Sequence, residues 1–263
     1  MVDVQNSRDS RNITLDEAGI KDLLYPVAIL DRERERQETV ATISMSVELP
    51  HHFKGTHMSR FMEVLSRHSR VFDGGTIPAI LNELKSVLEA RSARMTVSFP
   101  YFLEKRAPVT GVPARMDYNC TFQGRSGPEG EDFLLTVSVP VSSLCPCSRE
   151  ISDYGAHNQR ARITLEVRSA MDENGVPEMV WIEELVEIAE ASASSPVYPL
   201  LKRPDEKFVT ESSYDNPVFV EDMVRNASEY LMENSRIAWF RVTAESQESI
   251  HNHTAYARLQ WSR

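Results

Sequence analysis

The sequence predicts an α+β protein of antiparallel sheets with helices over one face. Runs in which apolar and polar residues strictly alternate, the period of a half-buried strand, recur along the chain. Between them lie apolar stripes at helical spacing, two after the leading strands of each half. Turn-forming runs such as APVTGVPAR and QGRSGPEGED separate neighbouring strands.

The first 20 residues are polar and are expected to be disordered. A strand is possible at 24–30, and DRERERQE at 31–38 reads as a solvated connection. Ala41, Ile43, Met45, Val47 and Leu49 mark a strand. Met58, Phe61, Met62 and Leu65 mark a helix, and Leu81, Leu84 and Leu88 a second, with Pro78 suited to its first turn. Met95 to Tyr101 and Tyr118 to Phe122 alternate as two more strands, the second holding Cys120 as a core thiol. QGRSGPEGED reads as an internal boundary, dividing a first unit at 21–126 from a second at 127–263. The second half then gives strands at 133–141 and 163–167 and a helix on Ile182, Leu185, Val186 and Ala189. A further helix at 217–233 is expected to have Asn216 as its N-cap. Strands through Phe240 and Leu259 end the chain. The order ββααββ leaves one sheet face and the sheet edges open, which assembly of several chains into a closed barrel would cover.

Composition excludes several classes of function. A net charge of −10 argues against a nucleic-acid binder. No apolar run approaches a membrane span, and the N-terminus lacks the apolar core of a signal peptide. Three cysteines, an odd number, read as reduced and cytoplasmic.

The chemistry concentrates in four stretches. The first is SLCPCSREISDYGAHNQRA, where Cys145, Cys147 and His157 share a connection far longer than a turn requires. Inert thiols would satisfy the CxC alone. With an imidazole in the same loop, the donors suit zinc or a similar divalent cation. If the segment is extended, both thiols leave on one side. The second stretch, ESQESIHNHT, holds Glu248 and His251; a solvated turn is its plain reading, a proton shuttle its functional one. The third, 200–222, reads as a long inter-helix link. Its Glu206 is either a surface carboxylate or a hard third metal ligand. Its Glu221, read in the second turn of the 217–233 helix, is either an i,i+4 partner of Arg225 or a carboxylate turned into a pocket. A carboxylate suits guanine because it accepts both the ring N–H and the exocyclic amine. The fourth, PHHFKGTHMSRF, sets Lys54, His57 and Arg60 near a helix N-terminus, where a triphosphate could rest; there is no P-loop.

Taken together, KGTHMSRF, SLCPCSREISDYGAHNQRA, LLKRPDEKFVTE, NPVFVEDMVR and ESIHNHTAYA resemble the type IB GTP cyclohydrolases of the tunnelling-fold superfamily. The resemblance implies two tandem ββααββ units per chain, a homotetramer with sites at or near subunit interfaces, and GTP as substrate. It implies hydrolysis of GTP to 7,8-dihydroneopterin triphosphate and formate, the first step of tetrahydrofolate synthesis. It also implies a divalent metal, zinc or manganese and possibly iron, with no NAD(P) and no flavin. By resemblance the metal ligands fall on Cys145, His157 and Glu206. The guanine anchor falls on Glu221, catalytic roles fall on His251 and Glu248, and Cys147 is a second active-site thiol. Lys54, His57 and Arg60 are the choice for the triphosphate. A nitrile reductase of the same superfamily, which needs NADPH, is the competing chemistry.

Overall fold

The chain opens on a long antiparallel pair, β1 (Leu15–Asp31) and β2 (Glu35–Leu49), in register from Tyr25 opposite Ala41 to Asp31 opposite Glu35. This computed structural model describes residues 5, 7–68 and 70–263. Alternation on β2 is complete: Ala41, Ile43, Met45, Val47 and Leu49 are buried and the residues between them are not. Part of the expected N-terminal disorder falls on residues 1–4 and 6, outside the described residues. The rest is corrected: β1 already begins at Leu15, and Arg8 bridges Phe53. The charged run 31–38 is mostly strand, with only residues 32–34 turning.

The chain forms two compact units, Met1–Pro100 with Thr121–Leu135, and Tyr101–Cys120 with Thr136–Arg263. The sequence boundary at 126/127 is not where they divide. QGRSGPEGED is instead the tight hairpin between β5 (Pro113–Gly127) and β6 (Gly130–Leu144), its turn chemistry serving strand reversal rather than a linker. β4 (Ala93–Arg106), β5 and β6 each contribute residues to both units.

In the first unit the strand order is β3-β1-β2-β4-β5-β6, where β3 (Val71–Phe72) pairs with β1 in parallel and β1, β2 and β4 pair antiparallel. Helices α1 (Met58–Arg67) and α2 (Thr76–Val87) bury Phe61, Val64 and Leu65, and Ile77, Ile80, Leu81 and Leu84. The α1 stripe is rotated from expectation: Met58 and Met62 are exposed and Val64 replaces them in the core. Pro78 sits in the first turn of α2, where its missing N–H costs nothing.

In the second unit the order is β10-β9-β7-β6-β5-β4, with β9 (Ile237–Ser246) antiparallel to both β7 (Asn158–Ser169) and β10 (Ala255–Ser262). α4 (Ile182–Ala191) packs on β7, and α6 (Val220–Glu233) on β9 and β10. The core between them holds Ile163, Leu165, Phe240, Val242, Leu185, Met223 and Leu231, each almost without exposure. A two-residue strand, β8 (Ser195–Pro196), pairs with β6. Among the described residues, β10 ends the order with one edge unpaired.

Two elements differ from the sequence reading. The stretch 200–222 is not a bare link, because it contains α5 (Arg203–Asp215). α6 starts at Val220, not 217, and Asn216 caps the C-terminus of α5 instead, its amide donating to the carbonyls of Ala193 (3.0 Å) and Ser194 (3.3 Å). Those donors satisfy carbonyls of the neighbouring segment, which local sequence cannot signal. Among the described residues, no helix is long and apolar enough to cross a membrane.

Candidate functional site

The site lies in the second unit, at one end of three neighbouring strands. β6 ends at Leu144 and delivers Cys145; β7 begins at Asn158 just after His157; β9 ends at Ser246 and leads into Glu248 and His251. The order β6-β7-β9 therefore puts three chemistry-bearing strand ends, and the two connections they bound, side by side. The backbone seals this arrangement. The Cys145 N–H donates to the His157 carbonyl at 3.1 Å, and the Gln247 N–H to that of Arg160 at 3.3 Å. The start of α6 joins them: the Val218 N–H reaches the Leu144 carbonyl at 3.2 Å, and the Ser143 hydroxyl donates to the Val218 carbonyl at 3.2 Å.

The thiol connection is not extended. Residues Pro146–Ile151 form a short helix, α3, with Cys145 as its N-cap. Pro146 favours this start, and the Cys145 sulfur accepts the Ser148 N–H at a long 3.5 Å. The same-side geometry that an extended CxC would give is thus absent. Cys145 is half-buried at the cap, and Cys147 is exposed on the helix.

His157 is oriented from two sides. Its backbone N–H donates to the Ser148 hydroxyl at 3.1 Å, and its Nδ1 lies 2.8 Å from Gln159 Oε1. The buried Gln159 amide donates to Ser143 Oγ at 3.4 Å, so its oxygen faces the ring and Nδ1 carries the proton. Nε2 is then left as a lone-pair donor, the arrangement a metal-binding histidine uses. Gln159 was not singled out in the sequence; its position two residues beyond the histidine, at the start of a strand, was the available signal.

Glu248 and His251 face one another across the β9–β10 connection, Oε2 to Nε2 at 3.5 Å, and the rings of His251 and His253 stack at 4.9 Å. Glu221 lies in the first turn of α6, not the second, and is exposed. Its expected partner Arg225 bonds Asp222 instead, at 2.8 Å.

Glu206 is exposed in the first turn of α5. Among the described residues no three His, Cys, Asp or Glu side chains gather closely enough to hold a metal ion. Cys145 and His157 are thus brought to one loop, while Glu206 is not gathered into a ligand set with them. Next to it stands a residue the sequence reading missed. Asp205 is fully buried and accepts four hydrogen bonds, from the backbone of Val109 and Thr110, the Thr110 hydroxyl and the backbone of Lys202. Burial alone would raise its pKa, but the Thr110, Lys202 and Val109 donors outweigh that and hold it well below the usual carboxylate range.

Lys54, His57 and Arg60 belong to the first unit. His57 is the N-cap of α1, as expected of residues near a helix start, but the Arg60 guanidinium donates to the Val87 carbonyl at 3.0 Å.

The fold identifies the class. The chain is similar to a highly active mutant of the urate oxidase from Bacillus sp. TB-90, with a TM-score of 0.56 and 9% identity over 95% of this chain and 100% of that one. The urate oxidase of Bacillus subtilis 168 gives 0.55 and 5%, over 94% and 98%. At such low identity the likeness carries the fold alone, an α+β arrangement as expected from the sequence. The family is narrower: the model described as type I GTP cyclohydrolase folE2 matches residues 1–257, and the chain belongs to that family. GTP cyclohydrolase FolE2 of Geobacter sulfurreducens is 53% identical over 99% of this chain and 98% of its own length. The protein of the same name from Thermosipho melanesiensis is also 53% identical, over 98% and 96%. The resemblance drawn from the five sequence stretches is borne out.

Proposed function

We propose that the chain is a GTP cyclohydrolase I, converting GTP and water to 7,8-dihydroneopterin triphosphate and formate as the first step toward tetrahydrofolate. The observation that carries this is a family match over nearly the whole chain, coinciding with a thiol, an imidazole and a Glu–His pair at neighbouring strand ends.

Hydrolysis requires water to add at C8 of the guanine, the imidazole ring to open and formate to leave. Glu221 is our choice for the guanine anchor, since one carboxylate accepts both N1–H and the 2-amino group. It stands on the first turn of α6, whose entry is bonded to the end of β6. His251 carries protons to and from the ring nitrogens, with the Glu248 carboxylate 3.5 Å away to balance the imidazolium. Cys147, exposed on α3, is a second thiol at the site.

Cys145 and His157 fit a divalent cation in donor chemistry: a thiol that accepts the Ser148 N–H, and an imidazole whose Nδ1 proton is already engaged. Glu206 supplies the third, hard donor, which requires the Cys145 loop to close toward the first turn of α5 when the cation binds. Zinc or manganese, possibly iron, suits this mixed set. A bound cation supplies Lewis acidity that makes water nucleophilic near neutral pH. No NAD(P) or flavin enters this chemistry. Lys54, His57 and Arg60 are proposed for the triphosphate.

Two tandem ββααββ units, read from the element order, would assemble as a homotetramer through their open sheet edges into a barrel, with sites at or near subunit interfaces. The unpaired edge of β10 supports this. The enzyme is proposed to be cytoplasmic, with no nucleic-acid or membrane partner.

The test is purified protein with GTP, with and without a chelator, followed by pterin fluorescence after oxidation. Pterin that disappears on chelation and returns with zinc or manganese is expected. No pterin under metal-replete conditions overturns the activity. Pterin unaffected by chelation overturns the metal alone.

A further inference from the structure

α5 is an unusual helix. None of its apolar residues is buried, Phe208 and Tyr214 are exposed, and its two buried residues are Asp205 and Ser213. Most helices in proteins are positioned by an apolar face packed on a core. α5 has no such face, so polar contacts must decide where it stands. At its C-terminal end these are the Asn216 amide on Ala193 and Ser194, and Arg149, whose guanidinium reaches the Asp215 carbonyl at 3.5 Å and lies 4.7 Å over the Tyr214 ring.

At its N-terminal end the contact is Asp205. One carboxylate oxygen accepts the Val109 and Thr110 N–H groups, each at 2.8 Å. The other accepts the Thr110 hydroxyl at 2.7 Å and the Lys202 N–H at 2.9 Å. The Lys202 carbonyl in turn accepts the Glu206 N–H at 2.9 Å. A single buried carboxylate therefore links the turn between β4 and β5 to the residue just before α5, and through it to the backbone of Glu206. That turn is itself closed by backbone hydrogen bonds. Ala107 N–H donates to Val112 and Gly111 N–H to Ala107, and Gly111 sits at φ +68°, where another residue would be strained. Just upstream of α5, Lys105 on β4 pairs with Glu190 and lies 4.5 Å over the Tyr198 ring, tying the approach segment to the same hairpin.

We propose that Asp205 is a positioning residue: its buried carboxylate pins the first turn of α5 to the β4–β5 turn and so fixes the point from which Glu206 is offered to a divalent cation. This rests on the reading of Glu206 as a cation ligand. Successive helical residues point about 100° apart, so with Asp205 turned inward, Glu206 is directed outward from a fixed base. Removing the pin leaves the Glu206 side chain chemically intact but releases its backbone, and outer residues of this kind typically change metal affinity by about 10–100-fold.

The experiment is cobalt(II) titration of the full-length protein, reading near-ultraviolet thiolate-to-cobalt absorption and visible d–d bands, for wild type, Glu206→Gln, Asp205→Asn and Thr110→Val. Thermal melts without cobalt are run alongside. The expected result is that Asp205→Asn weakens cobalt binding by about 10–100-fold and shifts the d–d bands as Glu206→Gln does, while the thiolate band persists. Thr110→Val, which removes one of the four donors, gives a smaller change in the same direction. If Glu206→Gln alters binding and bands while Asp205→Asn only lowers the melting temperature, the positioning role is overturned and the ligand reading stands. If Glu206→Gln itself changes nothing, the ligand reading falls and the inference with it. Should Asp205→Asn fail to fold, Thr110→Val decides: unaltered cobalt affinity and bands overturn the proposal.

Discussion

The β1–β2 and β6–β7 connections hold corresponding places in the two halves of the chain, each joining the strands that precede a pair of helices. They are built in opposite ways. The first closes on itself: the buried Asp31 carboxylate accepts the N–H groups of Glu33 and Arg34, both at 2.9 Å, and the Gln37 amide at 3.1 Å. The second spends residues 145–157 on a short helix and a polar loop, and it binds its own groups sparingly. Among the described residues, the Cys145 sulfur receives one long bond and the His157 ring is hydrogen-bonded at Nδ1 alone. A carboxylate saturated by local donors serves folding; a thiol and an imidazole left with spare donor capacity serve a ligand. The helix pairs repeat the lesson. α1 and α2 are joined by residues 68–75, whereas between α4 and α6 the chain inserts α5 with its polar anchors.

The largest expected effect breaks the contrast at its chemical end. Cys145→Ala lowers turnover of GTP by roughly 10³-fold or more, while the melting temperature moves little, because the thiol gives the fold only one weak cap bond. A variant retaining more than a tenth of wild-type turnover in a steady-state pterin assay would return the loop to a structural role. His251→Gln follows, with kcat reduced about 10²-fold and GTP binding by calorimetry nearly unchanged. Weakened binding with intact kcat would move His251 from proton transfer to substrate contact.

Asp31→Ala tests the other connection. It removes the acceptor of three part-buried hydrogen bonds whose donors can turn to water, and should cost about 0.5–1.5 kcal/mol of stability in urea unfolding, with cobalt affinity unaltered. An equal loss of metal affinity would erase the distinction between the two turns. The smallest effect concerns pH. The pKa of Asp205 is lowered in the folded chain, so its contribution is complete above the unfolded value, near about 3.9, and is lost as pH falls through the folded value. The stability gap between wild type and Asp205→Asn should hold constant from neutrality to about pH 5 and close below about pH 4. A gap that instead closes near neutrality would show that the carboxylate is not held by its four donors.

Much of this was legible in the sequence because it depended on local pattern. The strand alternation at 41–49, 163–167 and 240–244 matches burial residue by residue, since period-two patterning is enforced by the sheet itself; Ala238, expected on the buried face, is only partly covered and Ile237 is buried instead. Cys145, His157, Glu248 and His251 stood out because such residues in long connections have little other reason to be there. What was missed depended on distant partners. Asn216 looked like an N-cap because Pro217 follows it, yet its amide is claimed by carbonyls more than twenty residues away. QGRSGPEGED has the composition of a linker and the geometry of a hairpin. Asp205 looked like one more charge in KRPDEK, and only the folded β4–β5 turn supplies the donors that bury it.

The sequence by itself determined the fold class, the family and the stretches that hold the chemistry, because periodicity and spacing act over a few residues and survive in the linear text. The tertiary structure alone decided which strand ends become neighbours, which nitrogen of His157 remains available and what holds α5 in place. Those outcomes follow from hydrogen bonds between segments far apart in the chain, whose pairing no local pattern encodes.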